Sequence, residues 1–228
     1  NKIYISSRNI NIAKRLSSKF SKVRICKNNQ EIIENSKIIF LAVTPKVGKK
    51  ILGKLVFNKN KNIISLISTI KIKELKKLTN SNNICKAIPL PFIENKIGPI
   101  IISPKNKIAY KIFSKLGLVI NINDEKKSYQ FWSTSSAMAS FYEVYNTTTQ
   151  WLVKKGIKEK LATDYVASLF LALSQDAFLK KNSGFKKLVK ESQTPKGLNM
   201  KVLNELKKRK FFVNFSKALD NINRLISK

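Results

Sequence analysis

Residues 37–45 read Lys-Ile-Ile-Phe-Leu-Ala-Val-Thr-Pro, and from Ile38 to Val43 the run is apolar without a break. A surface strand alternates polar and apolar residues, whereas an unbroken run between turn residues is how a strand covered on both faces of a parallel sheet reads. Pro45 then ends it, because proline has no N–H for a ladder and holds Thr44 extended. A loop at Val43-Thr44-Pro45 therefore lies beyond the carboxyl end of a strand. In open α/β sheets that is where ligands bind, so these three residues are the first candidates for cofactor contact.

The pattern on either side repeats this unit. Lys2–Ser7 reads as a strand, Ile10–Phe20 as an amphipathic helix with Ile12, Ala13, Leu16 and Phe20 on one face, Val23–Cys26 as a strand and Gln30–Asn35 as a helix. After Pro45 come a helix over Lys46–Leu55, a buried strand over Asn62–Leu66, a helix over Lys71–Leu78 and a strand over Ile84–Ala87. Alternation of this kind predicts an α/β, Rossmann-type doubly wound parallel sheet. Between Ile88 and Pro104 stand Pro89, Pro91, Pro99 and Pro104, a density that predicts an extended, edge-like or loop path. A helix over Lys105–Leu116 and a strand over Leu118–Ile122 follow. From Asp124 onward the period is helical, with segments at 133–155, 158–180, 185–189, 198–208 and 213–226. The expected boundary separates a dinucleotide-binding domain, 1–122, from an all-α domain, 123–228. The wide apolar stripe of 158–180 predicts a deeply buried helix. Such a stripe is covered most readily by a second copy, which predicts a homodimer or higher homo-oligomer.

Composition narrows the function classes. The chain has 228 residues, two cysteines and no histidine, so neither a metal site nor a disulfide framework is expected, and the commonest general base is missing. No apolar run approaches the roughly 20 residues that cross a bilayer, and the expected setting is the cytoplasm. The net charge of +32 would ordinarily point to nucleic acid. Here the lysines are spread along nearly every segment beside many Asn and Ile, a genome-composition effect, so nucleic-acid binding is not expected.

A doubly wound sheet predicts a nucleotide, yet none of the seven glycines forms a G-x-G-x-x-G turn. Asn1 stands at what reads as the second strand of such a sheet, and the expectation is that a strand, its glycine loop and a helix lie upstream. The residue after this strand meets the adenosine ribose. Ser7 and Arg8 offer a hydroxyl and a guanidinium suited to a 2′-phosphate, which predicts NADPH, with NADH the alternative.

Five stretches together resemble the pyrroline-5-carboxylate reductase family: ISSRN (5–9), FLAVTP (40–45), ISLIST (64–69), KAIPLPF (86–92) and TPKGLN (194–199). They stand where that family has its second strand and phosphate-discriminating turn, its hydrophobic-AVKP loop, the following strand, R-x-M-P-N-T-P and S-P-G-G-T-T. The resemblance implies an NADPH-dependent reductase that transfers a hydride to a C=N bond in proline biosynthesis, with an amino-terminal cofactor domain and a helical domain that dimerises and completes the substrate pocket. It also implies that Val43, Thr44 and Pro45 line the nicotinamide ribose, Ser65 and Ser68 flank the nicotinamide, and Asn28 or Asn29 sits by the adenine. In the TPKGLN loop, Thr194, Asn199 and backbone N–H groups would hold a substrate carboxylate, with close approach at Gly197 and charge from Lys196. Reduction of a protonated imine needs no histidine, and a hydroxyl from Ser136 or Tyr142 could stabilise the nitrogen.

The departures from the family pattern are chemical. Leu90-Pro91 replaces Asn-Thr, Lys196 replaces the first glycine and Asn199 the last threonine, and the helix-entry pattern S-G-S-G-P-A appears as Thr134-Ser-Ser-Ala-Met-Ala139. A pocket that leaves a polar substrate group unpaired rejects it. The readings carried forward are therefore a reductase of pyrroline-5-carboxylate, an NADP-dependent reductase of another carboxylate-bearing imine or carbonyl, and a non-catalytic nucleotide-binding protein.

Overall fold

The computed structural model describes residues 2–227, and the chain forms two compact units that divide between Phe131 and Trp132. The first is α/β. Strand β1 (Ile3–Ser6), helix α1 (Ile10–Lys19), β2 (Val23–Cys26), α2 (Asn29–Asn35), β3 (Ile38–Leu41), α3 (Pro45–Ile51), β4 (Asn62–Ser65), α4 (Ile72–Thr79) and β5 (Ile84–Pro89) alternate as the apolar periodicity requires. Asn9 and Asn28 open helices by accepting from the backbone. Asn9 Oδ1 takes the Ile12 N–H at 3.1 Å, and Asn28 Oδ1 the Glu31 N–H at 2.9 Å. Pro45 stands at the first position of α3, where its missing N–H costs nothing.

The strands make two sheets. β1 pairs with β2, and β3-β4-β5-β6-β7 form a five-stranded sheet in that order, where β6 is Pro99–Ser103 and β7 Leu118–Asn121, joined by α5 (Lys107–Phe113). All pairs are parallel except β5–β6. β6 corrects the expectation of an edge or loop: it lies between two partners, and Ile100, Ile101 and Ile102 are buried. The prolines do not oppose this, because Pro99 begins β6 and Pro89 ends β5, where a missing N–H interrupts no interior ladder bond. β3 corrects a second expectation. It stops at Leu41, and only Ile39 and Leu41 are buried; Phe40 stays 43% exposed, its ring edge against Phe113. On the second face, Ile38 is half-buried against the cluster that includes Ile64, Ile102 and Phe113, which leaves Phe40 partly open. The core on the covered face gathers Ile33, Ile39, Leu41, Leu52, Ile63, Ile67, Ile70 and Leu75.

Helix α6 (Glu125–Ser135) begins in the first unit and ends in the second. The second unit continues with α7 (Met138–Lys154), α8 (Glu159–Leu179), α9 (Phe185–Glu191), α10 (Leu198–Lys208) and α11 (Phe211–Ser227). One expected helix over 133–155 is thus two, divided at Ser136-Ala137. α8 was expected to be deeply buried and is not: Ala162 and Val166 are covered, whereas Leu161, Tyr165, Leu171, Leu173 and Phe178 are more than half exposed. The stripe is as wide as the sequence implies, and its cover is lacking within one chain. Among the described residues no helix is long and apolar enough to cross a membrane.

Candidate functional site

In the first unit the predicted cofactor residues gather at the carboxyl ends of parallel strands. Ser7 and Arg8 follow β1. The Ser7 hydroxyl donates to the Lys27 carbonyl at 3.3 Å, and the Arg8 N–H donates to Ser6 Oγ at 3.2 Å, which fixes the turn while the Arg8 side chain is exposed. Beside it lies a cleft of about 450 Å³ lined by Ile5, Ser6, Arg8, Asn9, Ile12 and Ala13, among others. Asn28 spends its side chain capping α2 and Asn29 is the first residue of that helix, so a short polar turn follows β2 as it does β1.

Val43, Thr44 and Pro45 form the turn from β3 into α3, with Thr44 extended at φ −65°, ψ 153°. Helix α3 sits close to the neighbouring loop because residue 48 is glycine: a Cβ there would meet Ile67 Cδ1 at 3.1 Å and Ile70 Cδ1 at 3.2 Å. The two loops that the resemblance assigns to the nicotinamide, after β3 and after β4, are thereby packed against each other. Ser65 is buried and its Oγ accepts from the Ile67 N–H at 3.2 Å, while Ser68 is exposed.

Sequence reasoning missed the most polar part of this region. Register aligns Leu41, Ser65, Lys86 and Ser103 across four neighbouring strands, and all four are buried. Lys86 has no exposed surface, yet its Nζ donates to the Ser68 carbonyl at 2.6 Å and to Glu125 Oε1 at 3.1 Å, and it lies 5.4 Å from the centre of the Tyr129 ring. Burial pulls the Lys86 ammonium below the ordinary lysine value, against the opposing pull of Glu125; burial and then Glu125 push the Tyr129 hydroxyl upward. The Glu125 carboxylate also accepts from the Ile72 N–H at 3.1 and 3.2 Å. The available signal was a lysine inside an otherwise apolar strand, Ile-Cys-Lys-Ala-Ile, since a buried charge requires a partner.

In the second unit, the Thr194–Asn199 stretch is a tight turn at the start of α10. The Gly197 N–H donates to the Thr194 carbonyl at 2.9 Å, and any Cβ at Gly197 would collide with the Thr194 hydroxyl. Lys196 adopts φ +62°, the left-handed region. The Asn199 amide donates to the Ser192 carbonyl at 2.9 Å and ties the turn to the end of α9. Gly197 caps α10 without a side-chain bond, so the first N–H groups of that helix are open to an anion. Ser136 lies at the break between α6 and α7, its hydroxyl donating to the Ser133 carbonyl at 2.6 Å, and Tyr142 is 56% exposed on α7.

The residues fit a phosphorylated dinucleotide at both ends: an exposed guanidinium beside a cleft after β1, and two interlocked strand-end loops after β3 and β4. A glycine-rich turn for the pyrophosphate is not among the described residues. No cluster of His, Cys, Asp or Glu among them could hold a metal ion.

Comparison with known proteins bears on both units. Residues 132–226 match the family model for pyrroline-5-carboxylate reductase dimerisation, and residues 1–69 match that for the coenzyme F420-dependent NADP oxidoreductases. The fold is shared with the 1-pyrroline-5-carboxylate reductase of Streptococcus pyogenes, at TM-score 0.85 and 17% identity over 99% of this chain and 89% of that one. It is also shared with the pyrroline-5-carboxylate reductase of Coxiella burnetii (TM-score 0.82, 18%, 98% and 87%) and with the Plasmodium falciparum pyrroline carboxylate reductase solved with NADP bound (0.79, 20%, 90% and 82%). No curated protein sequence matches. The helical unit is thus matched by the pyrroline-5-carboxylate reductase dimerisation model and the first strands by an NADP oxidoreductase model, and the chain has the fold of the pyrroline-5-carboxylate reductases.

Proposed function

We propose that the protein is an NADPH-dependent reductase that transfers a hydride to the C=N bond of pyrroline-5-carboxylate in proline biosynthesis, and that it works in the cytoplasm as a homodimer or higher homo-oligomer. The observation that carries this reading is that two separate stretches, 1–69 and 132–226, point to the two halves of one such enzyme. The residues before 123 form the dinucleotide-binding part and the helices after it the substrate and dimer part. The free, buried thiols of Cys26 and Cys85 suit a reducing compartment.

Bound NADPH supplies the hydride. The chain supplies position and electrostatics. Arg8, with Ser7, selects the 2′-phosphate through charge-assisted bonds. Asn28 or Asn29 borders the adenine, Val43, Thr44 and Pro45 the nicotinamide ribose, and Ser65 and Ser68 the nicotinamide. The turn over Thr194, Lys196, Gly197 and Asn199 holds the substrate carboxylate with the open N–H groups of α10, the Thr194 hydroxyl and the Lys196 charge. Ser136 and Tyr142 are the hydroxyls proposed to stabilise the imine nitrogen, directly or through water. No residue need be a strong base, because the imine nitrogen is protonated before reduction and the remaining work is near-attack geometry.

A second reading is favoured by Leu90 and Pro91, which stand where the family has Asn-Thr: the same cofactor and chemistry, on another carboxylate-bearing imine. NADPH oxidation followed at the nicotinamide absorbance decides between them. Turnover of pyrroline-5-carboxylate at about 1 per second or faster establishes the first reading. Turnover confined to other cyclic or acyclic imines establishes the second, and no NADPH oxidation with any imine overturns both.

A further inference from the structure

The loop between β4 and α4, residues 66–71, carries the exposed Ser68 and Thr69 between the buried Ile67 and Ile70. Side chains pin its backbone at three points. Ser65 Oγ accepts from the Ile67 N–H at its start, Lys86 Nζ donates to the Ser68 carbonyl at its middle, and the Glu125 carboxylate accepts from the Ile72 N–H just beyond its end. Lys86 and Glu125 are also bonded to each other at 3.1 Å, Lys86 wholly buried and the Glu125 side chain 22% exposed. Glu125 opens α6, and Tyr129, one turn on, lies against the ammonium.

A buried ion pair of this kind is weak evidence for stability, since apolar residues of similar volume commonly serve as well or better. What a methionine in place of Lys86 could not do is hold the Ser68 carbonyl. The cross-strand row strengthens the point: Ser103, aligned with Lys86 on the next strand, is buried with its hydroxyl lacking a hydrogen-bond partner among the described residues, so polar groups are kept here that packing alone does not require.

We propose that Lys86 is a positioning residue for hydride transfer: it fixes the Ser68 carbonyl, and with it the loop that borders the nicotinamide, while Glu125 and Tyr129 hold the ammonium in register. The proposal rests on the reading of the protein as an NADPH-dependent imine reductase. Lys86 touches neither substrate nor cofactor in this account; it acts through the loop.

The test compares Lys86→Met, Lys86→Arg and Glu125→Gln with the wild type in the full chain. Two readouts are used: steady-state kinetics with NADPH deuterated at the transferred position, and amide hydrogen exchange across residues 66–72. Lys86→Met is expected to lower kcat about 10–100-fold with the NADPH dissociation constant changed by less than about threefold, to raise the deuterium isotope effect, and to speed exchange at 66–72 but not in β3. Lys86→Arg recovers most of kcat, because a guanidinium also donates to a carbonyl. Should Lys86→Met fail to fold, Glu125→Gln, which keeps shape but not charge, carries the same expectations at smaller size. Unchanged kcat and unchanged exchange in the folded variants overturn the proposal. A wild type that oxidises no NADPH overturns the functional reading instead, and the exchange arm then still decides whether Lys86 holds the loop.

Discussion

At the scale of single residues, one departure from the family pattern, Lys196, and one residue that follows it, Arg8, make separable predictions. Lys196 sits at φ +62° where the family has glycine, and a side chain in the left-handed region costs about 1 kcal/mol relative to glycine. Lys196→Gly is therefore expected to stabilise the protein by about 0.5–1 kcal/mol in urea unfolding, the gain reduced by glycine's freedom in the unfolded chain. If Lys196 charge also draws the substrate carboxylate, the same variant raises KM while leaving kcat near the wild-type value; a lower KM would refute that role. Arg8 makes the second prediction. Charge-assisted bonds contribute about 1.5–3 kcal/mol, so Arg8→Ala is expected to lower the preference for NADPH over NADH about 10–100-fold in kcat/KM. Equal loss with both cofactors would show that Arg8 does not meet the 2′-phosphate.

At the scale of elements, the sequence was most legible where one interaction dominates. Strand-helix alternation through β5 follows from apolar period alone, and its ends follow from Asn9, Asn28 and Pro45, whose capping chemistry is local. β6 was misread because proline density was weighed without position: Pro99 and Pro89 stand at strand ends. The covered state of β3 and α8 was overestimated because periodicity shows which face is apolar, never what lies against it. Lys86 and Glu125 were invisible for a different reason. They are 39 residues apart and meet only because the fold brings the start of α6 to β5, whereas the loops after β1, β3 and β4 could be placed from strand ends. The neighbour of Lys86 in β5 gives a prediction at this scale. Burial pushes the Cys85 thiol up to about 12, so it stays protonated at neutral and mildly alkaline pH, where an ordinary thiol is already ionising. In the folded protein Cys85 is expected to resist iodoacetamide at pH 8 and to react only on unfolding, read by peptide mass spectrometry. Rapid labelling at native conditions would mean that β5 opens locally.

At the scale of the whole molecule, the second unit cannot account for its own stability. Among its described residues the buried apolar side chains are Trp132, Ala162 and Val166, while Leu161, Tyr165, Leu171, Leu173, Phe178, Leu198, Val202 and Leu225 are more than half exposed. A unit of this size ordinarily buries well over half the surface of its unfolded chain, and apolar surface of this extent on helices marks a protein interface. The match of residues 132–226 to a dimerisation model supports another copy of the chain as that cover. If the core of this unit is completed only between copies, dissociation and unfolding are one event and stability depends on concentration. For 0.7 kcal/mol of unfolding enthalpy per residue, a hundredfold dilution of a dimer is expected to lower Tm by about 3 °C. Leu173→Glu, a charge placed on the exposed stripe of α8, is expected to convert the sedimenting species to monomer and to lose the helical signal of the second unit, because the uncovered stripe cannot pay for helix order in water. A Tm independent of concentration, or a folded monomeric Leu173→Glu variant, would show that the helical unit buries its core within a single chain.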